Sequence, residues 1–442
     1  MASAAEQLAA NMSLSAFKTA DELKKRIWFT LAALLVYRLG TYIPLPGIDP
    51  QALKAVFSQQ QSGIVGMFDM FAGGAVGRMA IFALNIMPYI TASIVIQLLT
   101  SVVPRLEQLK KDGEAGRKTI NQYTRYGTVL LATVQGYGIA VGLEGAEGVV
   151  VDPGLFFRVS AVITLVGGTI FLMWLGEQIT ARGVGNGISL IIFAGIVAEL
   201  PSALAGTLEL GRQGALSTFI ILALMVMVVA VIAFIVFMER AQRRLLVQYP
   251  KRQVGNKMTS GENSHLPLKL NTAGVIPPIF ASSLLLMPVT LANFSSGDND
   301  MLATISALLG RGQPAYMLMY ALGIIFFCFF YTSIVFNPKD TADNLKRHGG
   351  FIPGIRPGPR TAEYVDHVLT RLTVIGALYL TVVCLLPEFL INAYNVPFYF
   401  GGTSLLIVVS VTMDTVGQVQ GHLFAHQYEG LIKKSKMGGK RR

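Results

Sequence analysis

The sequence predicts an all-α polytopic membrane protein, with ten transmembrane helices in two inverted five-helix halves and one re-entrant half-helix. Three observations carry that reading. Of the 442 residues, 52% are hydrophobic and 14% charged, with a mean hydropathy of +0.54, which excludes a soluble core. Apolar runs of about 20 residues, the length that crosses a hydrocarbon layer, recur along the chain. The stretch from Ile64 to Val103 is broken in a way that a simple span is not.

The ten runs lie at 27–44, 79–103, 122–143, 155–176, 186–204, 216–238, 273–293, 315–336, 371–391 and 399–421. Lys18, Lys24, Lys25 and Arg26 precede the first run like a signal-peptide n-region. No small-x-small cleavage site follows, and the run continues into Tyr42-Ile-Pro-Leu-Pro46, so it is read as a retained span. In the broken stretch, Ile64-Val-Gly-Met-Phe-Asp-Met-Phe71 is only about 12 Å long as a helix, too short to cross. Ala72-Gly-Gly-Ala-Val-Gly77 interrupts it, and an apolar helix from Met79 to Val103 is expected next, with Pro88 near its middle. Unpaired backbone at membrane depth is tolerated only inside protein or beside water, so the break suggests a pathway.

Proline recurs at matching places in the two halves. Span two carries Pro88, and span seven carries Pro277, Pro278 and Pro288. An odd number of spans per half inverts one half relative to the other, an arrangement that places a pathway between them. With a cytoplasmic N-terminus, the tails and even-numbered loops hold 28 of the 36 Lys and Arg residues. The positive-inside rule therefore puts both termini in the cytoplasm. The chain divides into a cytoplasmic tail (1–26), an N-terminal half (27–204), a C-terminal half (205–426) and a basic cytoplasmic tail (427–442).

Two cytoplasmic loops, 239–272 and 337–370, are too long for simple connections. The first carries Arg240, Arg243, Arg244, Lys251, Arg252, Lys257 and Lys269; the second carries Lys339, Lys346, Arg347, Arg356 and Arg360. Ile352-Pro-Gly-Ile-Arg-Pro-Gly358 forms a proline-stiffened tip that resembles a docking finger. Such a basic surface suits ribosomal RNA, acidic protein or anionic lipid, although the charges individually also serve topology.

Signs of catalysis are missing. The chain has no phosphate-binding loop, and Gly183-Val-Gly185-Asn-Gly187 lacks a preceding strand and reads as a tight interhelical turn. His422 and His426 stand four apart without a carboxylate or cysteine to complete a metal site. Cys328 and Cys384 fall inside spans as small buried hydrophobes, and the 45 glycines suit close helix packing. Ionisable residues within spans are few, chiefly Arg38 and Asp414, with Arg125 and Glu177 near span ends, which is thin for a proton relay. Ile86 and Ile90 share a helix face, and spacing alone reads them as ordinary packing residues. A secondary transporter would need a polar pocket at the midplane. A purely structural scaffold would have neither the half-helix nor the long basic loops.

Six stretches resemble the SecY family, in order and at its expected spacing, from about Lys24 to Tyr428. They are Phe68-Asp-Met-Phe-Ala-Gly-Gly-Ala75, Ile86-Met-Pro-Tyr-Ile-Thr-Ala-Ser93, Gly183-Val-Gly-Asn-Gly-Ile-Ser189, Leu266-Pro-Leu-Lys-Leu-Asn-Thr-Ala-Gly-Val-Ile-Pro277, Pro353-Gly-Ile-Arg-Pro-Gly358 and Pro397-Phe-Tyr-Phe-Gly-Gly-Thr-Ser404. The resemblance implies a protein-conducting channel of the bacterial inner membrane, with an hourglass pore that passes unfolded secretory chains and releases hydrophobic segments sideways. It implies a plug at 63–74, with Ile64, Met67, Phe68, Asp69, Phe71, Gly73 and Gly74. A pore ring would fall at Ile86, Ile90, Ile192, Ile279 and Ile407. The lateral gate would run between spans two and seven, lined by Thr91, Gln97, Asn271, Ser282 and Ser283. Arg243, Arg244, Lys251, Arg252, Arg356 and Arg360 would receive the SecA motor ATPase or the ribosome.

Other implied partners are SecE-like and SecG-like small subunits, signal sequences and unfolded polypeptides, anionic lipid, SecDF and a YidC-type insertase. The resemblance implies neither an enzymatic activity nor a cofactor. Three departures from the family pattern stand out: Asn85 where glycine is more usual, Pro278 directly after Pro277, and a short external loop from Glu144 to Pro153.

Overall fold

The computed structural model describes residues 21–54, 69, 72–145, 148–213, 217–250, 252–254, 257–259, 263–294, 313–394 and 402–438. Its helices are α1 (Asp21–Gly40), α2 (Met87–Val102), α3 (Pro104–Lys111), α4 (Glu114–Glu144), α5 (Leu155–Arg182), α6 (Gly187–Arg212) and α7 (Thr218–Arg240). After four strands come α8 (Ile276–Phe294), α9 (Pro314–Val335), α10 (Pro338–Arg347), α11 (Pro359–Tyr394) and α12 (Gly402–Gly438). The strands are β1 (Gln242–Gln248), β2 (Arg252–Val254), β3 (Lys257–Thr259) and β4 (Asn263–Lys269), paired antiparallel as β1–β4 and β2–β3.

Among the described residues, seven helices, α4, α5, α6, α7, α9, α11 and α12, contain stretches long and apolar enough to cross a membrane, so the chain is a multi-pass membrane protein. The bent pair α2–α3, turning through 98° at Val103, would add an eighth. The bend has a local cause, since Pro104 follows Val103 and the residue before proline avoids the helical region. Two further candidates from the sequence stand apart for separate reasons. α1 has 20 residues but carries Lys24, Lys25, Arg26 and Arg38, and the described side chains of α8 reach only Leu285.

One expectation is corrected. Residues 79–86 form turns, not helix, and α2 begins at Met87. Pro88 is therefore the second residue of a helix and not a mid-span kink, a place where its missing N–H costs nothing. Pro277 is likewise the second residue of α8. Pro88 and Pro277 thus mark two helix starts, whereas Pro288 falls inside α8.

The chain divides into two compact units. One takes Met1–Ile96, Glu114–Ser202 and Ile407–Arg442; the other takes Gln97–Gly113 and Ala203–Leu406. In the first, α4 packs on α5 through small residues, with Ala132, Ala140 and Ala161 at 0–1% exposure and Gly136 beside Leu165. Leu45, Leu53, Met79 and Val149 extend that core, because the 43–49 segment pairs in short bridges with 80 and 150. The Gly183–Gly187 turn links α5 to α6, as its composition suggests; Val184 N–H donates to Thr30 Oγ1 at 3.1 Å and Gly185 N–H to Gln418 Oε1 at 2.9 Å.

In the second unit, α9 packs on α8 and on α11. Phe280 meets Phe327 edge to face at 5.7 Å, and Tyr320 Oη shares a 2.9 Å hydrogen bond with Thr403 Oγ1. Cys328 and Cys384 are both buried, as expected for residues inside spans.

Candidate channel elements and docking surface

The break before α2 is a closed polar turn. Of the predicted plug, Asp69, Gly73 and Gly74 are described, whereas Ile64, Met67, Phe68 and Phe71 lie outside the described residues. Asp69 closes the turn with its carboxylate, Oδ1 accepting from Gly77 N–H at 2.7 Å, and with its carbonyl, which accepts from Gly74 N–H at 2.8 Å. Gly73 and Gly74 have φ of +63° and +77°, a region that side chains with a Cβ resist.

Sequence reasoning missed the neighbours of this turn. Arg38 Nη1 donates to the Gly73 carbonyl at 2.5 Å, and Arg78 Nη2 donates to the same oxygen at 2.8 Å. Glu199 of α6 stands 4.0 Å from Arg38, and the Tyr42 ring lies beneath both guanidinium groups at 5.1 and 4.4 Å. The available signal was Arg38 itself, a cation within a span that lacked an assigned partner.

The five predicted ring isoleucines all lie at or near a helix start. Ile86 immediately precedes α2 and its carbonyl accepts from Ile90 N–H at 3.1 Å, so these two frame the first turn around Pro88. Ile192, Ile279 and Ile407 fall within the first two turns of α6, α8 and α12. Ile86, Ile90, Ile192 and Ile407 belong to the first unit and are buried; Ile279 belongs to the second and is half-buried. Asn85 has φ of +47°, which explains why glycine suits that site and why asparagine, the most tolerant alternative, can replace it.

The predicted gate residues behave in two ways. Thr91 Oγ1 donates to the Met87 carbonyl at 3.1 Å, and the Ser282 and Ser283 hydroxyls donate to the Ile279 carbonyl at 2.9 and 2.8 Å. These hydroxyls are satisfied within their own helices. Gln97 is half-buried on α2. Asn271 is different: its Nδ2 donates to Glu239 Oε1 at 2.7 Å and its Oδ1 accepts from Gly274 N–H at 3.1 Å, tying the end of α7 to the entry of α8.

The two long loops form one module within the second unit. β1 and β4 pair with Leu245 opposite Leu266, and Gln248 exchanges backbone hydrogen bonds with Phe351 of the other loop at 2.9 and 3.0 Å. Leu245, Val247, Leu268 and Ile352 bury against Val365, Val368, Leu369 and Leu372 of α11. On this base Arg243, Arg244, Arg356 and Arg360 are all exposed. Arg356 sits in a tip whose Gly354 has φ of +80° and whose Arg356 carbonyl accepts from Thr361 Oγ1 at 3.0 Å. Lys251 lies outside the described residues, and Arg252 is described only as backbone of β2.

The comparisons meet this geometry. The SecY family model matches residues 80–416. The protein translocase subunits SecY of Rickettsia conorii and of Escherichia coli K12 are each 57% identical, over 95% of this chain and 98% and 96% of theirs. Among solved structures, the fold is similar to a protein-conducting channel (TM-score 0.65, 18% identity, 90% of this chain and 92% of that one). It is equally similar to a SecY structure described by its plug domain (TM-score 0.65, 19% identity, the same coverage). Canine Sec61 from a ribosome–channel complex matches with a TM-score of 0.61 at 18% identity, over 90% and 92%. Broken helix, paired basic loops and near full-length identity agree, and the chain belongs to the SecY family.

Proposed function

We propose that this chain is the channel subunit of a protein translocase of the bacterial inner membrane, with ten spans and both termini in the cytoplasm. The carrying observation is the interruption at residues 72–86, closed by Asp69 and followed by an apolar helix that starts on Met87-Pro88. A segment that stops short and restarts is what a stopper beside a pore requires. Residues 63–74 are the plug. Ile86, Ile90, Ile192, Ile279 and Ile407 are the constriction, a placement that rests on the motif match.

Aliphatic side chains at a narrow waist exclude water and ions, yet they give way to any polypeptide because they offer no directed hydrogen bonds. Thr91, Gln97, Ser282 and Ser283 line the lateral gate, and Asn271 anchors its base. The exposed Arg243, Arg244, Arg356 and Arg360 receive SecA or the ribosome, whose acidic or phosphate groups complement them. SecE-like and SecG-like subunits complete the complex. The channel itself catalyses nothing, so the work of transport comes from the motor, the ribosome or the membrane potential.

Reconstitution tests the proposal. Vesicles holding this chain with its small subunits should take up an unfolded precursor when motor and ATP are added. Uptake no greater than in vesicles lacking this chain would refute it.

A further inference from the structure

Two adjacent glycines such as Gly73 and Gly74 suit a hinge, since glycine accepts φ values that other residues resist, yet the structure grips that turn from three directions. A Cβ at residue 73 would lie 2.9 Å from Arg38 Nη1 and 3.0 Å from the Gly195 Cα of α6. A Cβ at residue 74 would lie 2.6 Å from Arg78 Nη2 and 2.7 Å from Glu199 Oε1. The glycines therefore do more than permit positive φ: they let charged groups reach the backbone. Two guanidinium groups converging on one carbonyl repel each other unless acids balance them. Glu199 lies 4.0 Å from Arg38, and Asp69 closes the same turn, so the four charges Arg38, Arg78, Asp69 and Glu199 sum to zero.

We propose that Arg38 and Arg78 form a latch on the Gly73 carbonyl, counterbalanced by Glu199, that positions the plug hinge and has to release before the plug moves. The proposal rests on the reading of residues 63–74 as a plug. Because the two arginines act on one oxygen, neither is sufficient. Losing one leaves a weaker clamp with an unbalanced acid nearby, and losing both frees the turn. Charge-assisted hydrogen bonds are about twice as strong as neutral ones, which suits a catch that holds until displaced. Arg38 and Arg78 are positioning residues, acting on the pathway only through the turn.

The test uses the whole channel complex in membrane vesicles. Ala75, fully buried in the turn, is replaced by Cys in a background with Cys328→Ala and Cys384→Ala, and its labelling by a membrane-impermeant maleimide is followed. Arg38→Gln and Arg78→Gln should each speed labelling by about tenfold, the loss of one charge-assisted hydrogen bond, and the double variant by more. Arg78→Lys keeps the charge and one donor and should stay near the parent rate. Ala132→Cys, buried in α4, should remain unlabelled throughout.

Unchanged labelling in both Gln variants would overturn the latch, as would an equal rise at Ala132→Cys, which signals general loosening. The same variants are assayed for export of a reporter with a defective signal sequence. A rise in labelling and in export supports the latch as a plug device. A rise in labelling with export unmoved supports the latch and refutes the plug reading.

Discussion

Leu245→Ala asks whether the two long loops are one folded piece. Leu245 is 5% exposed on β1 and belongs to the apolar cluster that joins Ile352 of the second loop to Val365, Val368, Leu369 and Leu372 of α11. Truncating a packed leucine costs about 2–5 kcal/mol. Even the lower figure, about 2 kcal/mol, raises an open population by roughly 30-fold. Hydrogen exchange by mass spectrometry on the purified complex reads this directly. The amides of Gln248 and Phe351 are the reporters, since each donates to the other's carbonyl across the two loops. Both should exchange about 30-fold faster in Leu245→Ala.

Leu246 is the control. One residue along the same strand, it points away from the cluster and is 37% exposed, so Leu246→Ala should change either rate by no more than about twofold. Acceleration confined to residues 242–248, with Phe351 exchanging at the parental rate, would refute the idea of a single module. Functionally, Leu245→Ala should weaken docking although all the exposed arginines remain, because their mount has softened.

Three further outcomes are expected. Ile279→Asn or Ile407→Asn should destabilise the closed channel and raise export of a reporter with a defective signal; unchanged export would count against the ring assignment. Arg356→Glu should abolish motor-driven uptake into vesicles while leaving the amount of folded channel in the membrane unchanged, and normal SecA-dependent uptake would sink the docking role. Asn85→Gly should be neutral or slightly stabilising, whereas Asn85→Val, forced to φ of +47°, should cost about 1–2 kcal/mol and lower the unfolding temperature in detergent; equal melting of the two variants would remove that strain argument.

Composition and hydropathy were enough to read the fold class, because long apolar helices announce themselves by length alone. The Gly183–Gly187 turn was legible for a similar reason: three glycines between two apolar runs leave little else. The start of α2 was not legible. Residues 79–86 are as apolar as a helix, and only the backbone at Met79 (φ +43°) and Asn85 (φ +47°) shows where helix is refused. The grip on Gly73 was also hidden, since Arg38, Arg78 and Glu199 are distant in sequence and no periodicity links them. The basic character of the loops was plain, but their shared core was not, because Leu245 and Ile352 are about a hundred residues apart and no periodicity announces the pairing of Gln248 with Phe351 that joins their loops.

The hydrogen bonds of the proposed gate residues bear on how cheaply such a seam can part. A hydroxyl that bonds across two helices is stranded when they separate, at a cost of about 1–3 kcal/mol for each group left unsatisfied. Thr91, Ser282 and Ser283 avoid that cost by donating to carbonyls three or four residues back in their own helices. Their polarity therefore reduces apolar contact without creating a bond that must break. Asn271 works the other way, since its bonds to Glu239 and Gly274 stay within the α7–α8 connection and fix the pivot from which α8 leaves. Replacing Ser282 with Ala should consequently change opening little, while Asn271→Ala should remove its tie to Glu239 and loosen the entry to α8. Hydrogen exchange at the Leu270 amide, which donates to the Ala241 carbonyl just past the end of α7, reports that loosening with Glu239 and Gly274 left in place, and an unchanged rate in Asn271→Ala would show that the asparagine is not the tie.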